Sequence, residues 1–221
     1  MPLSSLLDIL ASARQIATHA ESKGIAVRAT PVRPVIDHIG AALADCILQA
    51  GLNYRTVVRP RVERIKTSYP LAANLSGVKA IIDSGQIADF LCWHHPEKLS
   101  RFGGLVSLLC VDDVEKVSDL RDWFMRTSAR DRMLGLHGVG PKTFDYLCCL
   151  VGIDRIAVDR HVISFASEAG VSTGHYDDLQ AVVSYAADIL GMRRRDFDAW
   201  IWKLRARETS EPQQLALLKI G

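Results

Sequence analysis

The chain has 221 residues, 48% hydrophobic and 24% charged, a balance that supports a folded core and argues against a disordered or low-complexity protein. Its 27 Lys and Arg against 25 Asp and Glu leave a formal net charge of +2, which by itself names no partner. No run of eighteen apolar residues occurs, Met1-Pro2-Leu3-Ser4-Ser5 lacks the basic opening of a secretory signal, and Cys46, Cys92, Cys110, Cys148 and Cys149 form no C-x-x-C pair. The expectation is a cytoplasmic protein without a membrane span, disulfide framework or zinc site, folded as one compact unit or two small lobes.

Apolar spacing is helical wherever it can be read. Leu6, Leu10, Ala13 and Ala17 share a face of a first helix that Gly24 ends. After a break at residues 31–34 (Pro31-Val32-Arg33-Pro34), the spacing of Ile36, Ile39, Leu43 and Ile47 predicts a second helix, stopped near Gly51. Arg55, Arg59, Arg61, Arg64 and Lys66 then stand against Glu63 alone, and form either a set of phosphate contacts or a solvated helix face. Further breaks are expected at Pro70, at His95-Pro96 and at Gly103-Gly104. Trp93-His94-His95 reads as a partly buried loop, since two histidines without further ligands make a poor metal site.

Ser128-Ala129-Arg130-Asp131 predicts a capped start to a short helix. Leu136-His137-Gly138-Val139-Gly140-Pro141-Lys142-Thr143 follows. Gly138 and Gly140 permit a tight turn, and Pro141 suits the first position of a new helix, where its missing N–H is no loss. Such a turn presents backbone N–H groups beside a helix N-terminus, where an anion is favoured, so a phosphate can be gripped without any base being read. A plain helix corner would use glycines similarly.

Ile156-Ala157-Val158 looks extended but is too short to found a sheet. Asp159 precedes a helical stripe of Val162, Phe165, Ala166 and Ala169 that Gly170 ends, which makes it a candidate N-cap. Two more stripes follow, Leu179, Val182, Val183, Ala186 and Leu190, then Phe197, Trp200, Ile201 and Leu204. Around the last stripe Arg193, Arg194, Arg195, Lys203, Arg205 and Arg207 oppose Asp196 and Asp198. The residues from Glu208 to Gly221 read as a docked or frayed tail. About nine or ten helices and no sheet result: the fold class is all-α.

Leu-x-Gly-Val-Gly-x-Lys-Thr at 136–143, followed by Val158-Asp159-Arg160-His161, resembles the helix-hairpin-helix DNA glycosylase superfamily, the group that includes endonuclease III. The likeness is strongest over residues 128–166 and weaker from about Asp37 to Pro70 and from Phe197 to Arg207. It implies two helical lobes with the active site between them. Residues 31–156 would form a central lobe carrying the hairpin at about 129–151, and residues 1–30 with 157–221 a second lobe built from both termini.

The resemblance implies a DNA glycosylase acting on double-stranded DNA that carries a damaged or modified base, as a monomer, nucleoid-associated if the source is prokaryotic. Lys142 stands where lyase-competent members keep their amine nucleophile, and Asp159 at the shared aspartate. Such a lysine must be neutral to attack C1′ of the sugar, yet a free one with pKa about 10.4 is uncharged only roughly once in 2,500 molecules at pH 7. Attack would leave a Schiff base that permits strand cleavage by β-elimination. Asp159 would stabilise the cationic sugar. Gly138, Val139, Gly140 and Thr143 would contact the DNA backbone, and His161 reads as a structural hydrogen-bonding residue. Gln49, Asn53, Tyr54 and Arg55 are candidates for the lesion or for the gap left by a flipped base, or else form a polar interhelical loop.

The sequence departs from the pattern at two places. No cysteine follows Cys149, so no iron–sulfur cluster and no other resident cofactor is expected, with a monovalent cation at the hairpin left open. Pro141 stands where a typical member has a polar or charged residue. Cys148 and Cys149 read as core. Oxidised bases are the lesions expected of the lysine-bearing branch. The alternatives are a monofunctional glycosylase in which Lys142 only contacts DNA, a non-catalytic hairpin module that grips the backbone, and an adaptor within a larger complex.

Overall fold

The computed structural model describes residues 5–25 and 33–208. The predicted tail beyond residue 208, the first part of the break at 31–34 and the side chain of Arg207 lie outside the described residues. The described chain is all-α, with twelve α-helices, one π-helical turn, one 3₁₀ turn and no strand. The count exceeds the expected nine or ten because a helix as short as Ile87–Leu91 shows no legible period, whereas the short helix expected from Ser128 is present as Ala129–Leu134. Gly103 and Gly104, expected to break the chain, lie inside the helix Pro96–Val111. None of the described helices is long and apolar enough to cross a membrane.

Two compact units are present, one of Pro34–Ile153 and one of Met1–Arg33 with Asp154–Gly221. In the second, α1 (Leu6–Ser22) packs along α11 (Tyr176–Ile189), and α12 (Arg194–Glu208) packs on α10 (Arg160–Glu168) and α11. The buried face of α1 is Ala13, Ile16, Ala17 and Ala20, one turn further on than the predicted stripe, and Leu6 is exposed. Phe165, Val182, Val183, Phe197 and Ile201 complete this core.

The other unit is built around α2 (Ile39–Leu48), which touches α3 (Arg59–Ser68), α6 (Pro96–Val111) and α9 (Pro141–Leu150). All ten residues of α2 are buried. Small residues allow this: a Cβ on Gly40 would lie 2.9 Å from the Ala72 carbonyl oxygen and 3.1 Å from the Phe90 ring. α4 (Leu75–Asp83) also packs on α2, α5 (Ile87–Leu91) packs on α3 and α4, and α8 (Ala129–Leu134) packs on α6, α9 and α7 (Val117–Phe124).

A helix sunk this deeply needs protein partners for its end groups. At its start the His38 Nδ1 accepts the Ala41 N–H at 3.2 Å, which puts the ring proton on Nε2, 3.1 Å from the Tyr69 carbonyl oxygen. At its end the Lys98 ammonium donates to the carbonyls of Ile47 (2.9 Å), Leu48 (3.3 Å) and Ala50 (2.8 Å).

The hairpin joins α8 to α9. Ser128 precedes α8 with helical dihedrals and no side-chain cap bond, so the predicted capping box is not formed. The Val139 N–H closes the turn onto the Leu136 carbonyl at 3.1 Å while the Val139 side chain is buried. Gly138 has φ +74°, and a Cβ there would fall 2.1 Å from the Arg101 Nε, so the guanidinium lies directly on the turn. Gly140 is the N-cap of α9 and Pro141 its first residue.

Two outcomes follow from these contacts. Burial lowers the His38 pKa, and only the neutral ring can accept at Nδ1. A depressed pKa on a base means that its share of stability is complete above the ordinary value of about 6.5 and is lost as pH falls through the folded value. The melting temperature of the native chain should therefore drop more steeply below about pH 6 than that of His38→Asn, which keeps an acceptor that does not titrate; parallel curves would remove the argument. In the hairpin, Gly138→Ala should cost about 1–2 kcal/mol for its left-handed backbone and displace Arg101. Gly140→Ala, where a Cβ meets nothing within 4 Å, should be close to neutral by denaturant unfolding, and equal losses at both positions would contradict this assignment.

Candidate nucleic-acid interface and reactive residues

At the hairpin the backbone N–H groups of Gly138 and Gly140 donate no hydrogen bond among the described residues. They stand beside the N-terminus of a ten-residue helix, so the turn offers free donors and a partial positive charge to an anion. The Thr143 N–H is bonded to the Gly140 carbonyl at 2.9 Å, and the Thr143 carbonyl accepts the Cys46 thiol at 3.4 Å. Thr143 thus ties the hairpin to α2. Burial pushes the Cys46 thiol well above its ordinary range, which keeps it an inert core group.

Lys142 is the second residue of α9, with its Nζ 2.5 Å from Gln49 Oε1 and 5.4 Å from the centre of the Tyr146 ring. Tyr146, one turn along the same face, donates its hydroxyl to Asp45 Oδ1 at 2.9 Å. Tyr54 donates to Asp45 Oδ2 at 3.2 Å, and Asp45 is fully buried. Asp45 and Gln49 on α2 therefore face Lys142 and Tyr146 on α9, each pair spaced four residues apart. Lys142 donates to the Gln49 oxygen, which turns Nε2 the other way, and Nε2 is buried without a hydrogen-bond partner among the described residues. Burial beside Arg101 and Lys142 lowers the Lys98 pKa, although its carbonyl partners use the charged form.

Of the four residues predicted to meet the lesion or the gap, Gln49 and Tyr54 belong to this cluster, whereas Asn53 and Arg55 are exposed. The division is local. Asn53 Oδ1 accepts the Thr56 N–H at 3.1 Å and starts a π-helical turn, Tyr54–Val58, in which Tyr54 bonds to Asp45 and Arg55 stays outside.

Asp159 is the N-cap of α10, its Oδ1 accepting the N–H groups of His161 (2.8 Å) and Val162 (3.0 Å). The cap expected from the sequence is formed. Its Oδ2 makes no hydrogen bond and no ion pair among the described residues, and the residue is only partly buried. The His161 ring meets the Trp202 ring edge-on at 6.2 Å. Ile156, Ala157 and Val158 are buried and lie in neither helix nor strand. The Val158 N–H donates to the Tyr176 hydroxyl at 3.2 Å. Asp198 receives Arg33 Nη1 at 2.5 Å. Burial pushes the Asp198 carboxyl above its usual range against the pull of that guanidinium.

Most of the basic clusters are spent inside the protein. Arg61 donates to the carbonyls of Cys92 and Val57 and lies over the Trp93 ring, while Arg64 donates to the carbonyls of Asp89 and Phe90 and to the Tyr69 hydroxyl. They bind α3 to the end of α5. Near the C-terminus Arg193 pairs with Asp196, Arg194 with Asp188 and Arg205 with Glu168, and Arg195 is 2% exposed. Among the described side chains of these two clusters, Arg55, Arg59 and Lys203 remain as exposed cations beside the paired Arg193. His95 is the N-cap residue of α6, and among the described residues no three His, Cys, Asp or Glu side chains stand close enough to hold a metal.

Sequence reading missed Asp45, Tyr146, Lys98, Arg33 and Asp198. Asp45 was detectable as the one charge in the apolar run 39–48, and Tyr146 as the residue one turn beyond Lys142. Nothing in the sequence connects Lys98 to α2, or Arg33 to Asp198.

Residues 104–206 match a family model described as a domain of unknown function (DUF8548). None of the curated proteins matches the sequence. Among solved structures the chain is similar to that of the H. pylori 3-methyladenine DNA glycosylase (MagIII) bound to 1,N6-ethenoadenine, at 14% identity and a TM-score of 0.61, over 93% of this chain and 99% of that one. The chain therefore has the fold of that structure, and its described part is all-α.

Proposed function

We propose that the protein is a DNA glycosylase that removes a damaged or modified base from double-stranded DNA, acting as a monomer. The observation that carries the reading is Asp159. A capping carboxylate held rigidly by two backbone N–H groups keeps its second oxygen uncommitted, which suits a group that must stabilise positive charge on a sugar as its base departs. The unpaired Gly138 and Gly140 N–H groups supply a phosphate grip, with exposed Arg55, Arg59 and Lys203 adding charge. Such an enzyme must extrude the nucleotide, at a cost of about a few kcal/mol. Exposed Asn53 and Arg55 are the candidates to fill the vacated stack. The name of the structural neighbour supports alkylated and exocyclically bridged purines as first lesions to test, beside the oxidised bases expected from the lysine.

In the bifunctional form of this reading the neutral Lys142 amine attacks C1′, the glycosidic bond breaks with its electron pair leaving on the base, and the resulting Schiff base undergoes β-elimination. A second, monofunctional reading is favoured by the surroundings of Lys142. A carbonyl oxygen at 2.5 Å and an aromatic ring beneath the ammonium both stabilise the charged form, which is not a nucleophile.

Borohydride trapping separates the two. A bifunctional enzyme leaves a covalent protein–DNA adduct that Lys142→Ala abolishes, whereas base release without any adduct establishes the monofunctional reading. Asp159→Asn should lose base release while still binding DNA, and normal excision by that variant would reduce Asp159 to a cap. Failure to release a base from any member of a broad lesion panel would leave only a DNA-gripping hairpin. Binding should weaken with salt by about 0.9 log unit per log salt for each phosphate neutralised.

A further inference from the structure

We propose that Arg101 is a phosphate-binding residue, a side-chain cation beside the hairpin's backbone donors that Glu97 holds until a DNA phosphodiester displaces it. This role rests on the reading that the hairpin grips the DNA backbone, and it is independent of the base-release chemistry. The seating of α6 delivers the residue. Phe102, Leu105 and Leu109 sink one face of α6 into the core. Gly104 brings the helix against the start of the hairpin, where a Cβ would meet the Leu136 side chain at 3.7 Å. Arg101 precedes Gly104 by three residues and so shares its face, which carries the guanidinium to the turn. There the missing side chain of Gly138 leaves room for it: a Cβ would overlap the Arg101 Nε, Cζ and Nη2.

A guanidinium carries five N–H donors. Among the described residues Arg101 uses Nη2 alone, to Glu97 Oε2 at 3.2 Å, and its Nε is buried with no hydrogen-bond partner. Arg61 and Arg64 differ, because their donors go to main-chain carbonyls and join helices. The hold of Glu97 is weak: it lies in the first turn of α6 with its side chain 62% exposed, and an exposed pair four residues apart contributes little. The surroundings favour an anion. The Gly138 and Gly140 N–H groups donate no hydrogen bond among the described residues, α9 begins beside them, and Lys98 stands one turn before Arg101 on α6. A phosphodiester offers two oxygens to the planar fork of a guanidinium. Exchange of carboxylate for phosphate at Arg101 makes and breaks no covalent bond.

The test uses the whole chain and an undamaged DNA duplex, with affinity measured by fluorescence anisotropy across a salt series. Arg101→Met, which keeps an apolar stem against Gly138, should weaken binding roughly tenfold and lower the slope of log affinity against log salt by about 0.9, the share of one phosphate. Arg101→Lys should restore the slope and only part of the affinity, because an ammonium keeps the charge and lacks the fork. Glu97→Gln releases the guanidinium and should tighten binding about threefold, the scale of an exposed ion pair. In an Arg101→Met background that gain should vanish.

An arginine that only props α6 on the turn gives another pattern: Arg101→Met lowers the melting temperature and leaves the salt slope of the folded protein unchanged. That result overturns the proposal, as does a gain from Glu97→Gln that persists without Arg101, which reports general repulsion of DNA by the carboxylate. If Arg101→Met does not fold, Glu97→Gln in the native background decides, and absence of tightening overturns the proposal. Each of these outcomes leaves the glycosylase reading in place. A native protein that binds duplex yet releases no base removes that reading and leaves Arg101 to be decided by the salt series. A native protein that binds no duplex overturns both.

Discussion

A helix buried along its whole length cannot leave its end groups to water, and much of the unit around α2 is arranged to meet that constraint. His38 answers it at one end by giving up its charge, and Lys98 at the other by keeping its charge in contact with three carbonyls. The second solution shapes the candidate site. Holding the last carbonyls of α2 sets where the chain turns, which places Gln49 against Lys142 and lets Tyr54 bond to Asp45 at the start of the next helix.

The surroundings of Lys142 illustrate how one packing arrangement bears on chemistry. Two residues one helical turn apart on α2 face two residues one turn apart on α9, so a buried carboxylate, two hydroxyls, an amide and an ammonium form a continuous polar seam. Its members satisfy one another except at Gln49 Nε2, which is buried without a hydrogen-bond partner among the described residues. The seam engages the Lys142 Nζ with the Gln49 oxygen and the Tyr146 ring, contacts that the motif alone does not reveal.

Charge is handled similarly elsewhere. Arg61 and Arg64 look like a phosphate-binding stripe, yet their donors are consumed by the carbonyls at the end of α5, leaving Arg55 and Arg59 as the exposed members. In the unit containing α12, Asp196 and Asp198 serve as acceptors for Arg33 and Arg193. The basic excess in these stretches is therefore mainly a means of joining helices, which leaves the turn at Gly138–Gly140 and a few exposed cations as the free donors of the proposed phosphate grip.

The all-α class, the hairpin and the cap at Asp159 were legible in the sequence because each depends on residues close together in the chain: apolar spacing, Gly and Pro at a turn, a carboxylate before a helical stripe. A short helix such as α5 carried no readable period, and Gly103-Gly104 misled because a glycine pair can sit inside a helix held by its neighbours. What only the tertiary structure decided is which distant side chains meet: Lys98 with the end of α2, Gln49 with Lys142 across 93 residues, Arg33 with Asp198 across 165. Local sequence determines backbone conformation through sterics and capping. The partner of a buried charge is chosen by whichever element packs against it, and that is settled only when the chain is folded.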